Sequence, residues 1–177
     1  MYEGKLVRLR AFEQSDVERN AQFVNDYETV RTMINAFLLP SSIDDERQWL
    51  SQQSSYTRGE YQFAVETLDG LLIGRCGLTR IDWKNRIGDI GVMIGDGEWR
   101  GRGCGTEAVR LLCKFSFEEM NLNKLRLGVF DFNTAGIRCY ERCGFTREGC
   151  LRQEVFREGA YHDVYQYGLL ASEYSAL

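Results

Sequence analysis

The chain has 177 residues, of which 44% are hydrophobic and 27% are charged, with a net charge of −4 and a pI near 5.2. This length is enough for one compact domain over residues 1–177 with its own core. No apolar run approaches the ~18–20 residues that a membrane span needs. The mildly acidic charge argues against nucleic acid as a direct partner and is compatible with a cationic substrate.

The cysteines and the N-terminal residues indicate a cytoplasmic protein with reduced thiols. No secretory signal precedes the first strand-like segment. The six cysteines are Cys76, Cys104, Cys113, Cys139, Cys143 and Cys150. Cys139 and Cys143 lie four apart, a spacing that would suit a metal on a helix, but no CxxC pair accompanies them. Because His162 is also the only histidine, the sequence predicts no metal site.

The N-terminal third reads as one strand followed by two helices. Apolar and basic residues alternate over residues 5–12, which predicts a strand. Ser15 and Asp16 offer N-caps for a helix with apolar residues at 17, 21, 23 and 24. A second helix is expected from Ser41 and Ser42 to about Ser54. The acidic residues at 44–46 complement its dipole and are read as capping rather than substrate binding.

The rest of the chain alternates strands with helices. A hairpin is predicted from Tyr61–Thr67 and residues 71–81, with its turn at 68–70. The later predicted strands are Ile87–Ile94, Lys124–Phe130, residues 145–156 and residues 161–170; the later helices run from about Cys104 to Met120 and over residues 133–143. This order predicts an α+β domain with a single mixed, mostly antiparallel sheet flanked by helices.

A glycine-rich loop separates the strand ending at Ile94 from the helix beginning near Cys104. Its glycines, Gly101, Gly103 and Gly105, allow a sharp turn and close approach of a ligand to the backbone. The free amides and dipole of the following helix favour an anion, and Arg100 and Arg102 add positive charge. The segment therefore predicts a phosphate-binding loop.

Two other nucleotide-binding motifs are relevant to this loop. A Walker A motif is absent, because no Gly-Lys-Ser/Thr follows. Residues 103–108 do spell GxGxxA, and Asp131 ends the next strand, where a ribose-binding acid of a Rossmann fold would fall. Against this alternative, the glycines do not directly follow a strand, and the unit lies behind an antiparallel meander. A dinucleotide enzyme remains the less favoured reading.

Three segments resemble one enzyme family, the GCN5-related N-acetyltransferases. Residues 100–105 resemble its pyrophosphate motif Q/R-x-x-G-x-G/A, and residues 133–145 its segment N-x-x-A-I-x-x-Y-E-x-x-G-F. Residues 148–170 are similar to the branch that contains ribosomal-protein N-terminal acetyltransferases and spermidine acetyltransferases. The resemblance covers roughly residues 3–174. Gly136 stands where the family has alanine, which should loosen the helix by ~0.5–1 kcal/mol.

The resemblance implies transfer of an acetyl group from acetyl-CoA to a primary amine by direct attack, without an acyl-enzyme and without a metal. It implies that the pyrophosphate contacts come from Arg100, Gly101, Arg102, Gly103, Cys104, Gly105 and Thr106. It further implies that the backbone of Met93, Ile94 and Gly95 pairs with the pantetheine arm, which Asn133 also positions. Tyr140 would protonate the departing thiolate, and Asp89 is the candidate general base.

The identity of the acceptor is left open by the sequence. The family resemblance allows a protein N-terminus, a polyamine, an aminoglycoside or an amino sugar. A non-catalytic acyl-CoA sensor is the alternative outside enzymes, although retention of Asn133 and Tyr140 argues against it. A homodimer is a further expectation, because this branch of the family often dimerises.

Overall fold

The computed structural model describes residues 2–33, 38–53 and 60–174. The strands are β1 (Tyr2–Glu3), β2 (Val7–Arg10), β3 (Tyr61–Thr67), β4 (Leu72–Asp82), β5 (Ile87–Ile94), β6 (Lys124–Phe130), β7 (Thr146–Arg157) and β8 (Ala160–Leu170). The helices are α1 (Val17–Val24), α2 (Tyr27–Val30), α3 (Ile43–Gln53), α4 (Cys104–Lys114) and α5 (Thr134–Arg142). No helix in the described ranges is both long and apolar enough to cross a bilayer.

The strands form one sheet in the order β1-β2-β3-β4-β5-β6-β8-β7. Over the described residues, β5 and β6 are parallel and every other neighbouring pair is antiparallel. The predicted single mixed, mostly antiparallel sheet is confirmed. Such a sheet is not doubly wound, so the Rossmann alternative is wrong. Asp131 instead joins β6 to β8, since its Oδ2 accepts from the Asp163 amide at 3.3 Å.

The N-terminal elements differ in detail from the prediction. The strand expected over residues 5–12 is limited to β2, and the two-residue β1 pairs with it. The short helix α2 was not predicted; Asp26 caps it by accepting from the Thr29 amide at 3.0 Å. The expected start of α3 is confirmed as a reciprocal cap between Ser42 and Asp45. Its predicted end at Ser54 lies outside the described residues.

Glu107 has a structural role that the sequence did not reveal. Helical spacing predicts that its side chain faces outward from α4. Instead its carboxylate accepts hydrogen bonds from three consecutive amides of the β1–β2 connection, those of Lys5, Leu6 and Val7, at 2.7–2.8 Å. These bonds tie α4 to the edge of the sheet, because a carboxylate satisfies several backbone donors at once.

The two faces of the sheet carry different helices. The main apolar cluster joins α4 to the inner strands and includes Ala108, Leu112, Leu125 and Leu169, all of which are buried. A smaller cluster lies on the other side and contains Phe23 of α1 with Ala64, Leu72 and Met93. After Lys114, α4 continues as a π-helical turn over Phe115–Glu119, so the predicted helix to Met120 changes type before its end. The helices therefore cover the sheet from both sides and leave the β5–β6 junction between them.

Candidate active site

The parallel junction between β5 and β6 is short. The two strands pair at three positions, Ile87 with Lys124, Gly88 with Leu125 and Asp89 with Arg126, and then separate. Beyond this point β4 still pairs with β5 and β8 still pairs with β6. The second half of β5 therefore has a free backbone edge, which faces a cleft.

The cleft opens into a cavity of about 1130 Å³. This volume is slightly above the ~300–1,000 Å³ typical of ligand sites and leaves room for two substrates. On one side the cavity is lined by the glycine loop and α5, including Gly101, Gly103, Thr106 and Asn133. On the other side it is lined by residues of α2, α3, β4, β7 and β8, including Thr29, Trp49, Arg75, Glu154 and Gln166.

The glycine loop presents backbone amides to this cavity. Gly101 and Gly103 have φ angles of +74° and +92°, which L-residues with a side chain rarely adopt. Gly103 is the N-cap of α4, and glycine supplies no side chain to cover the amides of the first turn. Gly105 and Thr106 line the cavity, whereas the side chain of Cys104 is buried in the main core. The amides and the helix dipole together suit a pyrophosphate.

The two loop arginines are both engaged within the protein. The Arg100 guanidinium donates to the Ile94 carbonyl oxygen at 2.9 Å and to the Gly95 carbonyl oxygen at 3.1 Å. It also contacts the Thr29 hydroxyl, which ties the loop to α2. The Arg102 guanidinium lies 5.4 Å from the centre of the Trp99 ring. Arg100 thus braces the end of β5, in addition to any charge that it contributes to the loop.

The free edge of β5 is formed by Val92 and Ile94. Gly95 donates its amide to Ile73 of β4 at 2.9 Å, and a Cβ on Gly74 would fall 2.0 Å from the Met93 carbonyl oxygen. The polar backbone groups of Met93 and Gly95 therefore point towards β4. Strand alternation turns those of Val92 and Ile94 to the cleft. The backbone of Ile94 thus faces the cleft, that of Met93 and Gly95 faces β4, and Val92 is a cleft residue that was not singled out in the sequence.

Tyr140 lies at this edge. Its ring is buried in α5 and packs edge-on against Phe145 with 6.0 Å between ring centres. The hydroxyl lies beside the backbone amide of Val92, and Tyr140 lines the cavity. Burial raises the pKa of the phenol well above its ordinary value. The hydroxyl is therefore protonated at neutral pH and can donate a proton.

Asn133 begins α5 beside the same cavity. Its Oδ1 accepts from the Gly136 amide at 2.9 Å, which makes Asn133 the N-cap of α5. A Cβ on Gly136 would lie 2.7 Å from the Asn133 Nδ2. The glycine that departs from the family pattern therefore leaves space for the capping side chain in its present rotamer.

Asp89 is buried at the last paired position of β5 and β6. One carboxylate oxygen accepts from Arg126, and the other lies 2.7 Å from the Nε of Arg80. Both oxygens are thus engaged by guanidinium groups. Asp89 thereby links the strands β4, β5 and β6 through ion pairs.

Two arginines of α5 also line the cavity and were missed in the sequence. Arg138 and Arg142 lie four residues apart, one turn from each other, on the helix that faces the glycine loop. The carbonyl oxygen of Arg142 accepts from Arg110 of α4 at 3.1 Å, which holds the two helices together. The sequence signal that could have identified Arg138 and Arg142 is their i, i+4 spacing on the helix that begins after Asn133. Among the described residues, no cluster of three or more potential metal ligands occurs.

A family model described as an acetyltransferase (GNAT) domain matches residues 7–146. The chain belongs to the GNAT acetyltransferase family. It is 30% identical over 167 residues to the spermidine N(1)-acetyltransferase of Vibrio cholerae, covering 94% of each chain. It is also 30% identical over 174 residues to the putative ribosomal N-acetyltransferase YdaF of Bacillus subtilis, covering 95% of this chain and 93% of the relative.

A solved structure agrees with these similarities. The Vibrio cholerae spermidine N-acetyltransferase in complex with CoA and spermine superposes with a TM-score of 0.88 at 27% identity, covering 97% of this chain and 99% of that one. The predicted family, fold and enzyme class are therefore confirmed. This acetyltransferase is an enzyme that uses acetyl-CoA, and the acyl-CoA sensor alternative is dropped.

Proposed function

We propose that the acetyltransferase moves the acetyl group of acetyl-CoA to a primary amine by direct attack in the cleft between β5 and β6. The observation that carries the proposal is the position of Tyr140, whose buried hydroxyl lies at the Val92 backbone on the free edge of β5. An acid at this edge is placed to protonate a thiolate as the carbon–sulfur bond breaks. No enzyme nucleophile is needed in such a reaction.

The binding residues divide along the cleft. The amides of residues 101–106 hold the pyrophosphate at the start of α4, and Arg138 and Arg142 supply positive charge from α5. The free backbone N–H and C=O groups of Val92 and Ile94 bind the pantetheine arm of acetyl-CoA, as an added strand would. Asn133 fixes the first turn of α5, and Tyr140 lies further along the same helix.

We assign Asp89 a positioning role instead of the general-base role expected from the sequence. Its two ion pairs hold β4, β5 and β6 together at the point where the cleft begins. The amine then loses its proton to solvent or to ordered water. Because the nucleophile must be neutral, turnover rises with pH as the amine deprotonates.

The relatives support two kinds of acceptor. The names of the spermidine acetyltransferases support a polyamine, and the name of YdaF supports a ribosomal protein. Both kinds of acceptor present a primary amino group, so the class of reaction is the same. A cytoplasmic location and a homodimer, expected from the cysteines and the family branch, remain predictions.

The test is release of CoA from acetyl-CoA across a panel of polyamines, amino acids, peptides and aminoglycosides. We expect turnover with at least one primary amine and none with the same compound once all of its primary amines are acetylated. The Tyr140→Phe variant serves as the chemical control, since it should bind acetyl-CoA and turn over slowly. Acetyl-CoA binding without CoA release on any amine would overturn the proposal, as would an acetyl-enzyme that is chemically competent.

A further inference from the structure

We infer that the amine acceptor also carries a negatively charged group, a carboxylate or phosphate, that is bound by the Arg75 guanidinium in the acceptor half of the cavity. The inference rests on the proposed acetyl transfer and specifies the class of acceptor. It distinguishes amino acids, acidic peptides and phosphorylated amines from polyamines, which carry only positive charge.

Arg75 lies one strand away from the expected site of acetyl transfer. It is on β4, directly opposite Met93 of β5, and its side chain lines the cavity. The strand spacing places its backbone ~5 Å from β5. The guanidinium carbon lies 4.5 Å from the centre of the Trp49 ring of α3. This cation–π contact holds the group in place while it leaves the donor edge of the guanidinium available.

Arg75 is on the acceptor side of the sheet, away from the pyrophosphate loop. Its neighbour Cys76 belongs to the apolar cluster beneath α4, and alternation along a strand sends adjacent side chains to opposite faces. The contact with Trp49 confirms that Arg75 points towards α3. The phosphates that the α4 amides attract lie on the other face, so the anion that Arg75 binds comes from the acceptor.

Arg75 makes no ion pair of its own within the described part of the chain. Burial lowers the pKa of the Arg75 guanidinium and the charge of Glu46 opposes this, but no carboxylate oxygen of the described residues lies within 4.0 Å of it. The Glu46 carboxylate is engaged elsewhere, accepting from Asn20 at 2.6 Å and from Ser41 at 2.7 Å. By contrast, Arg80 and Arg126 share the carboxylate of Asp89. Arg75 is thus a half-buried cation without a directly bonded anion, which is costly unless a ligand supplies one.

The surrounding cavity has room for such a ligand. Gly77 and Gly91 lie opposite each other on β4 and β5 and form part of its floor. A Cβ on Gly91 would meet nothing within 4 Å. An acceptor seated over Gly91 would reach both the edge of β5 and the Arg75 side chain.

The charges in the acceptor half of the cavity include both signs. The charged residues that line the whole cavity are the six arginines Arg75, Arg80, Arg100, Arg126, Arg138 and Arg142 and the three acids Glu28, Asp89 and Glu154. Arg100, Arg138 and Arg142 lie on or beside the glycine loop, and Arg80 and Arg126 share Asp89. The acceptor half is left with Arg75, Glu28 and Glu154, which suits an acceptor that carries both an amine and an anionic group.

The test compares matched amines that differ in the anionic group: 4-aminobutanoate against n-butylamine, and O-phosphoethanolamine against ethanolamine, with spermidine as the cationic reference. We expect kcat/KM for the anionic member of one pair to exceed that of its neutral partner by about 10- to 100-fold, the range of a charge-assisted hydrogen bond. Arg75→Gln should erase this ratio. Comparing ratios between the two proteins cancels the intrinsic reactivity of each amine.

Arg47→Gln is the matched control, because Arg47 is an exposed arginine of α3 paired with Asp44 and is absent from the cavity lining. It should retain the wild-type ratio. An unchanged ratio in Arg75→Gln, or spermidine as the best substrate of both proteins, would overturn the inference while leaving acetyl transfer intact.

A second measurement does not depend on turnover. Calorimetry of the CoA-loaded protein with 4-acetamidobutanoate, N-acetyl-O-phosphoethanolamine and N-butylacetamide reports the anion site alone. Arg75→Gln should weaken binding of at least one anionic product by about tenfold or more and leave that of N-butylacetamide unchanged. If neither anion binds more tightly than N-butylacetamide, the inference is wrong. If one binds through Arg75 but no amine is acetylated, the proposed function fails and the anion site stands.

Discussion

Asp89 of β5 and Arg126 of β6 form an ion pair at the last paired position before the two strands separate. Arg80 completes the cluster from β4 with its Nε 2.7 Å from the second carboxylate oxygen. The cleft in which we propose that acetyl transfer occurs therefore begins where a buried carboxylate joins three strands. A residue in this position can affect activity by fixing the separation of the strands, without taking part in proton transfer.

We expect Asp89→Asn to lower the free energy of unfolding by ~1–3 kcal/mol, because two guanidinium groups lose their anionic partner. Denaturant unfolding measures this change. Asp44→Asn removes an exposed pair with Arg47 and should have no measurable effect. The pH dependence of kcat/KM should keep its shape in Asp89→Asn. Loss of an ionisation from that profile, with stability unchanged, would instead make Asp89 the general base.

Tyr140→Phe should keep acetyl-CoA affinity and lower kcat by about 10²-fold, the lower end of the range for general acid catalysis. The ring contact with Phe145 is retained, so most of the packing survives. Tyr167→Phe is the control, since Tyr167 is also buried but donates to Glu141 at 2.9 Å and is absent from the cavity lining. Equal kcat values for wild type and Tyr140→Phe on the true acceptor would show that Tyr140 is a packing residue.

The raised pKa of Tyr140 predicts the alkaline side of the pH profile. Burial favours the neutral phenol, so the proton stays on the oxygen above the ordinary titration range of tyrosine near 10. We expect kcat/KM to rise from pH 6 to pH 9 with amine deprotonation and to show no decline below pH 10. Steady-state rates across this range provide the measurement. A fall between pH 8 and pH 9 in a protein that remains folded contradicts the assignment.

Gly103→Val should abolish tight acetyl-CoA binding. The Gly103 φ of +92° strains any β-branched residue, and the new side chain would stand at the amides that begin α4. Gly70→Val is a matched control, because Gly70 has the same φ of +92° in the β3–β4 turn and its added Cβ meets nothing within 4 Å. Calorimetry should show lost affinity only in Gly103→Val. Unchanged affinity in a folded Gly103→Val protein would move the pyrophosphate away from this loop.

Cys139 should react with iodoacetamide at pH 7.5 faster than Cys150. A hydrogen bond with Cys143 lowers the pKa of the Cys139 thiol, whereas desolvation and Asp163 raise that of Cys150. A lower pKa gives more thiolate at this pH, and the thiolate is the reactive form. Because the Cys139 sulfur lies 3.6 Å from the Thr106 hydroxyl beside the loop, CoA should protect it and leave Cys150 unaffected. Mass spectrometry of the alkylated peptides measures both rates; equal protection of the two thiols would contradict the placement of CoA.

Local chemistry alone determined the order and type of most elements. The glycines of the phosphate loop, the Asn133 cap and the alternation in Ile87–Ile94 each act over a few residues and can be read from the chain. The same is true of the family motifs, which carried the predictions of acetyl-CoA and Tyr140. The short helix α2 was missed because one turn of helix capped by Asp26 leaves too brief a pattern.

Only the tertiary structure decided which groups meet across the sheet. Strand pairing turned the backbone of Val92 and Ile94 to the cleft and that of Met93 and Gly95 to β4, and no local pattern fixes which edge of a strand stays free. It also gave Asp89 two arginine partners from different strands. In the sequence alone, Arg75 is a basic residue on a predicted strand and has no visible partner. The stacked Trp49, 26 positions earlier in the chain, makes it a candidate anion receptor, because contacts between distant segments form only when the sheet and its helices pack.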